Sequence, residues 1–521
     1  MEKILILDGV DKTAIDVLKN DFETDVRNTI SEEELKSIIK NYSALIVRSQ
    51  TKITKEIIDL SNLKIIGRAG VGVDNIDVEA STRKGIIVVN SPDGNTIAAA
   101  EHTLALLMSV ARHIPNANQS LKNNEWKRKE YTGVELYNKT IGIIGLGRIG
   151  SHVAKVCKAL GMKLIGYDPF VNKAKAEEMS IEICELDKIY AESDFITIHV
   201  PLTNETKNLI NIDTMKKMKK SARIINCSRG GIINENDLAY AIENNIIAGA
   251  GIDVFEKEPL KDSPLQKVYE KLIITPHLGA STQEAQINVA IDVATQIKSF
   301  LKGEGVKNAV NYTSMEAKKE LKPYISLSAK IGSFLGQLGD SNIKSIEVEY
   351  MGKLTEENTK SITLSIIKNI LSQILGDTVN YVNALLVAKD RGIQIKETNS
   401  SIESDYKSEI LVKAIFEKNE RLISATVFHD DQEKIVQIDD YKIVFEPKGK
   451  FLLTINMDKP GMVGKIGNGL GENNINIANM SLGRNNKNAM MIINIDETIP
   501  ENILKELKNM EGILDIKYVN L

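Results

Sequence analysis

Cysteine is scarce: Cys157, Cys184 and Cys227 are the only three in 521 residues. The number is odd and none sits in a paired metal-ligand spacing, which argues against a disulfide framework and against a cysteine-held metal, and points to a reducing compartment. Long hydrophobic runs are also missing. Nothing approaches the roughly 20 apolar residues of a membrane span. The opening MEKILILDG is too short for a signal peptide and reads as a first β-strand, so the expectation is a cytoplasmic, membrane-free protein. Nor is there an excess of positive charge. With 66 Lys and Arg against 70 Asp and Glu, net −4, and no long basic run, a nucleic-acid partner is not expected. What remains is an ordinary hydrophobic fraction of 42% in a chain long enough for three or four domains, able to form its cores without metal or disulfide support.

The first ninety residues alternate short apolar runs with helical patterns. Strands are expected at Ile4–Leu7, Ala44–Val47, Leu63–Gly67 and Ile86–Val89, with a helix at Lys12–Lys19. Such βα alternation favours a parallel sheet. A long helix is expected over Thr96–Ile114, with Glu101 and His102 near its start. From Thr140 the alternation resumes, with strands at Thr140–Ile144, Lys163–Tyr167, Phe195–His199, Arg223–Asn226, Ile247–Ile252 and Leu272–Thr275, the pattern of a doubly wound sheet. A helix over Gln283–Lys302 ends at Gly303, and Gly303 to Thr313 reads as a linker. About 130 residues of mixed strands and helices follow, without a catalytic signature. After Gly449 the last seventy residues read strand, helix, strand, strand, helix, strand.

The strand at Thr140 runs directly into Gly145-Leu-Gly147-Arg-Ile-Gly150 and a helix. In a dinucleotide-binding turn the first glycine allows the tight bend. The second lets backbone approach a pyrophosphate, and the third lets helix and strand pack closely. Helix-terminal N–H groups then attract the anionic phosphates. The next strand ends in Asp168, about twenty residues on, where a carboxylate accepts ribose hydroxyls and repels a 2′-phosphate. NAD rather than NADP is therefore the expected cofactor.

Three polar clusters follow later strands of the same sheet: Cys227-Ser228-Arg229, Asp253 to Glu258, and Thr275-Pro-His277. Ligands of open α/β sheets bind beyond the carboxyl ends of their strands. Dehydrogenating a hydroxy acid needs a base for the hydroxyl proton, and His277 suits it near neutral pH. It needs a carboxylate to orient that base, and Glu258 fits. It needs a cation for the substrate carboxylate, and Arg229 offers a two-pronged planar contact.

At LGRIG, NCSRGGIIN, GIDVFEKEP and TPHLGAST the chain resembles the D-isomer-specific 2-hydroxyacid dehydrogenase family over roughly its first 310 residues. The N-terminal stretches ALIVRSQTKIT, IIGRAGVGVDNID and NSPDGNTIAAAEHT are similar to members that take a phosphorylated acid. Leu452–Asp458, Lys459-Pro460-Gly461 and Asn474–Ala478 resemble an ACT domain, a small amino-acid-binding unit.

The resemblance implies an α/β fold, with a Rossmann-like NAD domain (94–283) inserted in a flavodoxin-like substrate domain (1–93 with 284–306). An α+β intervening domain (315–446) and a ferredoxin-like ACT domain (450–521) would follow. It implies NAD-dependent oxidation of D-3-phosphoglycerate to 3-phosphooxypyruvate, the first step of L-serine synthesis, with Arg229 and Glu258 in the active site and His277 as acid/base. Arg148, Ile149, Asp168, Val71, Val200, Cys227, Ser228, Asp253, Gly279 and Ala280 would contact NAD. Arg48, Ser49, Arg68 and Arg128 would hold the substrate's phosphate and carboxylate. It further implies a homotetramer, no metal, and L-serine as effector near Asn456, Asp458 and Asn476, although Asn456 and Asp458 stand where His and Asn are usual. Alternatives are another D-2-hydroxyacid or 2-oxoglutarate specificity, or an NAD-sensing binding protein. The retention of Arg229, Glu258 and His277 together speaks against the last.

Overall fold

Runs of four or five Ile, Leu, Val and Ala residues are too short for helices, and β-branched side chains suit a pleated surface packed on both faces. Ile4, Leu5 and Ile6, and likewise Ala44 to Val47, are fully buried. In the computed structural model, which describes residues 1–171, 173–312, 318–339, 341–402, 405–485 and 487–521, such runs build the first two of four sheets.

The first sheet is parallel, in the order Glu23–Val26, Lys3–Ile6, Ala44–Val47, Ile65–Arg68, Ile87–Asn90, a flavodoxin-like arrangement. One of its faces is closed by the distant helix Gln283–Leu301, whose Val289, Val293 and Ile297 share a core with Ile4, Ile6 and Val89. Gly67 permits this approach: a Cβ there would lie 2.4 Å from Val293 Cγ1.

The second sheet is parallel and seven-stranded. Its order is Leu272–Ile274, Gly249–Ile252, Arg223–Asn226, Phe195–Ile198, Thr140–Ile144, Lys163–Tyr167, Glu182–Ile183. The winding reverses between Thr140–Ile144 and Phe195–Ile198, which opens a crevice above their carboxyl ends.

The third sheet runs Gln394–Asn399, Ile343–Gly352, Ser408–Phe416, Glu420–Val427, Glu433–Ile438, Tyr441–Phe445, antiparallel except for its first pair. The fourth is the antiparallel βαββαβ sheet Ile477–Arg484, Asn488–Ile495, Lys450–Met457, Ile513–Asn520. These two units are not separate bodies. Phe451, Leu453, Met490, Ile492 and Val519 of the last sheet belong to the same core as Phe334 and Phe445 of the preceding unit.

Two local expectations are corrected. The helix from Thr96 ends at Arg112, because His113 adopts φ 53° and Pro115 opens a second helix, Ile114–Lys122. A proline inside a continuous helix would lack its N–H bond and clash with the preceding turn. The expected linker is not free chain along its described length. Val310 N donates to Val88 O at 2.8 Å, and Asn311 Oδ1 accepts from Val88 N at 2.8 Å, so the segment lies along the edge strand Ile87–Asn90. Thr313 and the expected domain start at 315 lie outside the described residues. The third unit touches the first through Asn380 Nδ2, which donates to Gly85 O at 3.0 Å, and through the ion pair of Arg83 with Asp390. Among the described residues no helix is long and apolar enough to cross a membrane.

Candidate active site

The glycine turn has the geometry its sequence suggests. Gly145 adopts φ 95°, and a Cβ there would sit 2.5 Å from His199 O and 2.9 Å from Val200 Cγ1. At Gly150 a Cβ would meet Gly145 O at 2.0 Å, so helix and turn could not close. At Gly147 a Cβ would meet no protein atom within 4 Å. What glycine keeps open there is the space in front of the helix Arg148–Ala159, where N–H groups and dipole favour a phosphate. This fits a dinucleotide.

Asp168 is tied to the turn. Its carboxylate accepts from Leu146 N at 2.8 Å and from Phe170 N at 2.8 Å, which fixes it at the end of Lys163–Tyr167. Arg148 Nε lies 2.7 Å from Asp93 Oδ1, and Ile149, in the same helix, packs partly buried against the core. Val71 is held at the opposite rim by Asn90 Nδ2, which donates to its carbonyl at 2.5 Å.

Three later strand ends converge on the crevice. After Arg223–Asn226, Ser228 N and Oγ both donate to Asn226 Oδ1, and burial pushes the Cys227 thiol up to about 12, so it stays protonated. After Gly249–Ile252 comes Asp253, fully buried. Its Oδ1 accepts from Thr275 Oγ1 at 2.5 Å, Leu278 N at 2.8 Å and His102 Nε2 at 3.2 Å. Its Oδ2 accepts from Gly279 N at 2.8 Å. Burial alone would raise this carboxyl, but the hydrogen bonds from His102, Thr275 and Leu278 outweigh it and keep the group below its ordinary range. His102, Cys227 and Asp253 bring one donor atom each within 4.8 Å of the others. The hydrogen bonds Asp253 already accepts make the cluster a hub that shapes the loop to Gly279 and Ala280.

That loop carries His277, whose N–H donates to Asp253 O at 2.9 Å and whose φ is 55°. A non-glycine residue in this region needs such anchoring, and positions of this kind concentrate at functional sites. His277 Nδ1 lies 2.7 Å from Glu258 Oε2, and Glu258 Oε1 accepts from Phe255 N at 3.1 Å. Burial would raise the Glu258 carboxyl, but the His277 hydrogen bond and the Phe255 N–H bring it below its usual value. The hydrogen bond to Glu258 raises His277, against an opposing effect of burial. An ionised carboxylate can only accept, so Nδ1 carries the proton and Nε2 is free to exchange one.

His277 and Glu258 line a cavity of about 860 Å³ whose other wall is basic: Arg48, Lys52 and Arg68, with Ser49. Asp8 and Asn75 hold that wall. Asp8 accepts from Arg48 N at 2.9 Å, and Asn75 Nδ2 donates to Arg48 O at 2.8 Å. Burial and then the neighbouring Arg229 push Arg68 down to about 10, and it stays cationic at neutral pH. Among the described residues the buried Arg68 Nε has no partner. Gly70 and Gly72 make room for the guanidiniums. A Cβ at Gly70 would fall 1.5 Å from Arg68 Nη1, and one at Gly72 would fall 1.9 Å from Arg229 Nη2.

Two expected substrate contacts are not among the residues that line this cavity. Arg229 stands at the cavity's edge, with Nε 3.2 Å from Asp74 Oδ2 and Nη1 donating to Ser228 O at 2.7 Å. Arg128 sits in an exposed turn and does not line the cavity. In the fourth sheet Asn456 is buried with Oδ1 unpartnered, Asp458 faces Arg484 at 3.5 Å, and Asn476 Nδ2 donates to Asp496 Oδ2 at 2.7 Å. Asp8 and the hub role of His102 carry no signature along the chain, while Asp74 and Asn75 lie within IIGRAGVGVDNID with no role read for them.

A histidine–carboxylate pair facing half-buried arginines across a nucleotide crevice defines a dehydrogenase of D-2-hydroxy acids. Residues 104–279 match the NAD-binding domain of the D-isomer specific 2-hydroxyacid dehydrogenases, 320–439 the D-3-phosphoglycerate dehydrogenase intervening domain, and 450–512 the ACT domain. A D-lactate dehydrogenase of Aquifex aeolicus, solved with NAD and lactic acid, is 28% identical with TM-score 0.53 over 58% of this chain and 96% of its own. The D-3-phosphoglycerate dehydrogenase of Synechocystis is 47% identical over 100% of this chain and 95% of its own length. That of Methanocaldococcus jannaschii is 42% identical over 100% of both. The chain belongs to the D-3-phosphoglycerate dehydrogenase family.

Proposed function

We propose that the chain oxidises D-3-phosphoglycerate to 3-phosphooxypyruvate with NAD, opening L-serine synthesis. The observation that carries this reading is the 2.7 Å His277–Glu258 pair in a cavity whose opposite wall holds Arg48 and Arg68. Bound NAD supplies the hydride acceptor, with Gly145, Gly147, Arg148, Ile149 and Gly150 around its pyrophosphate and Asp168 at its ribose. Val71, Val200, Cys227, Ser228, Asp253, Gly279 and Ala280 complete its surroundings. Arg229 holds the substrate carboxylate and polarises C2. Arg48, Ser49 and Arg68 receive the phosphate, and a half-buried guanidinium whose Nε has no partner among the described residues favours a dianionic group over an uncharged one. His277 Nε2 takes the C2 hydroxyl proton, and Glu258 stabilises the imidazolium that forms.

Serine binding near Asn456, Asp458 and Asn476 and a homotetramer belong to the same proposal. The buried, unpartnered Asn456 Oδ1 supports the first. The second is supported by exposed Ile114, Leu121 and Trp126, the last 83% exposed, on the nucleotide-binding unit.

Initial rates with 3-phosphoglycerate and NAD, with and without serine, against unphosphorylated acids and 2-oxoglutarate, test the reading. Preference for an unphosphorylated acid would remove the phosphate assignment. Asp168→Asn is expected to raise the NADP/NAD ratio of kcat/KM about tenfold or more, since like-charge repulsion near contact is worth a few kcal/mol at a protein surface. An unchanged ratio would detach Asp168 from cofactor choice.

A further inference from the structure

Two guanidiniums assigned above to ligand anions already carry carboxylates from across the crevice. Arg148 opens the helix after the glycine turn, and its Nε is 2.7 Å from Asp93 Oδ1. Arg229 follows the strand Arg223–Asn226, and its Nε is 3.2 Å from Asp74 Oδ2. Asp93 and Asp74 follow the carboxyl ends of Ile87–Asn90 and Ile65–Arg68 in the first sheet, while both arginines follow strands of the second. The two pairs therefore bridge the same crevice in the same sense, with the first sheet giving the anion and the second the cation. Asp93 and Asp74 are 67% and 74% exposed, so each is free to swing into solvent.

We propose that Asp93 and Asp74 are built-in anion stand-ins, Asp93 for the dinucleotide pyrophosphate at Arg148 and Asp74 for the substrate carboxylate at Arg229. The inference rests on the proposed function above. Each aspartate keeps its arginine extended toward the crevice, so the guanidinium is oriented before the ligand arrives. Each also competes with the ligand for the same donors. A ligand must offer more than one carboxylate's attraction to displace it, and after turnover the returning aspartate weakens the hold on the departing anion. The carboxylates thus trade affinity for selectivity and release, and an exposed pair can do so only by a modest factor.

The test uses the full chain and the variants Asp93→Asn and Asp74→Asn, which keep size and polarity. NAD affinity is measured by titration calorimetry without substrate, and KM and kcat for 3-phosphoglycerate at saturating NAD. Asp93→Asn is expected to tighten NAD about two- to fivefold, and Asp74→Asn to lower the KM for 3-phosphoglycerate about two- to fivefold without raising kcat. Both gains should shrink in high salt, where exposed pairs are screened. Unchanged or weakened binding in either variant overturns the assignment for that residue, and a gain for the wrong ligand overturns the pairing. A wild-type chain that binds NAD but does not oxidise 3-phosphoglycerate removes the proposed function instead, and the Asp93 arm is still read from NAD binding alone.

Discussion

Replacing His277 with Ala is expected to lower kcat for 3-phosphoglycerate oxidation by about 10²–10⁴-fold, the usual range for losing a positioned acid/base, while leaving NAD affinity nearly unchanged. Near-wild-type turnover would sink the assignment. The Glu258 contact gives this prediction a pH signature. Oxidation needs neutral His277, so kcat/KM rises as pH climbs through the histidine's pKa, and the Glu258 hydrogen bond raises that pKa. Glu258→Gln removes the main cause of the raise. The acid limb of the oxidation profile should then move to lower pH, and the alkaline limb of the reverse reduction, which needs the protonated ring, should move the same way. A drop in rate with no displacement of either limb would leave Glu258 a purely structural role.

Phe334→Ala is expected to destabilise the C-terminal part of the chain by about 3–5 kcal/mol, the range for deleting a buried phenyl ring. Phe334 is fully buried, with ring centroids 6.0 Å from Phe445 and 6.2 Å from Phe451, which themselves lie 5.4 Å apart. Phe334 and Phe445 belong to the third unit and Phe451 to the fourth, so one cavity weakens both. Denaturant melts should show the two units unfolding in one transition that shifts as a whole. Phe170→Ala, at a ring 93% exposed, should change stability by less than about 0.5 kcal/mol. Separate transitions for residues before and after 450 would contradict the shared core.

The strands of both parallel sheets were legible because each is a short apolar run ended by a turn residue, and the glycine turn because its spacing is a geometric requirement. The edge strands Glu23–Val26 and Glu182–Ile183 were not, since ETDV is largely solvated and shows no apolar signal and Glu182–Ile183 is only two residues long. The histidine, glutamate and arginine could be picked out by their chemistry at strand ends. Their partners could not. Asp74 and Arg229 are 155 residues apart and meet only where the two sheets face each other, and His102 and Asp253 are 151 apart and meet only because the helix Thr96–Arg112 packs on the second sheet. The helix Ile114–Lys122 hides for another reason: it begins right after the expected end of the preceding helix, at a Pro115 that suits a first helical turn. Arg128 shows the converse, an expected substrate contact that the fold leaves outside the cavity.

The first sheet is closed by a helix some 280 residues downstream, Val293 and Ile297 meeting Ile4 and Ile6. On a ribosome adding roughly 5–20 residues per second, the earliest strands wait on the order of tens of seconds for their cover. The nucleotide-binding sheet is encoded wholly within that interval and can complete itself first. The first strands made are thus buried after the nucleotide-binding strands that follow them, and a nascent chain stalled before residue 283 would expose Ile4, Ile6, Ile65 and Val89 to any chaperone or neighbour that binds apolar surface.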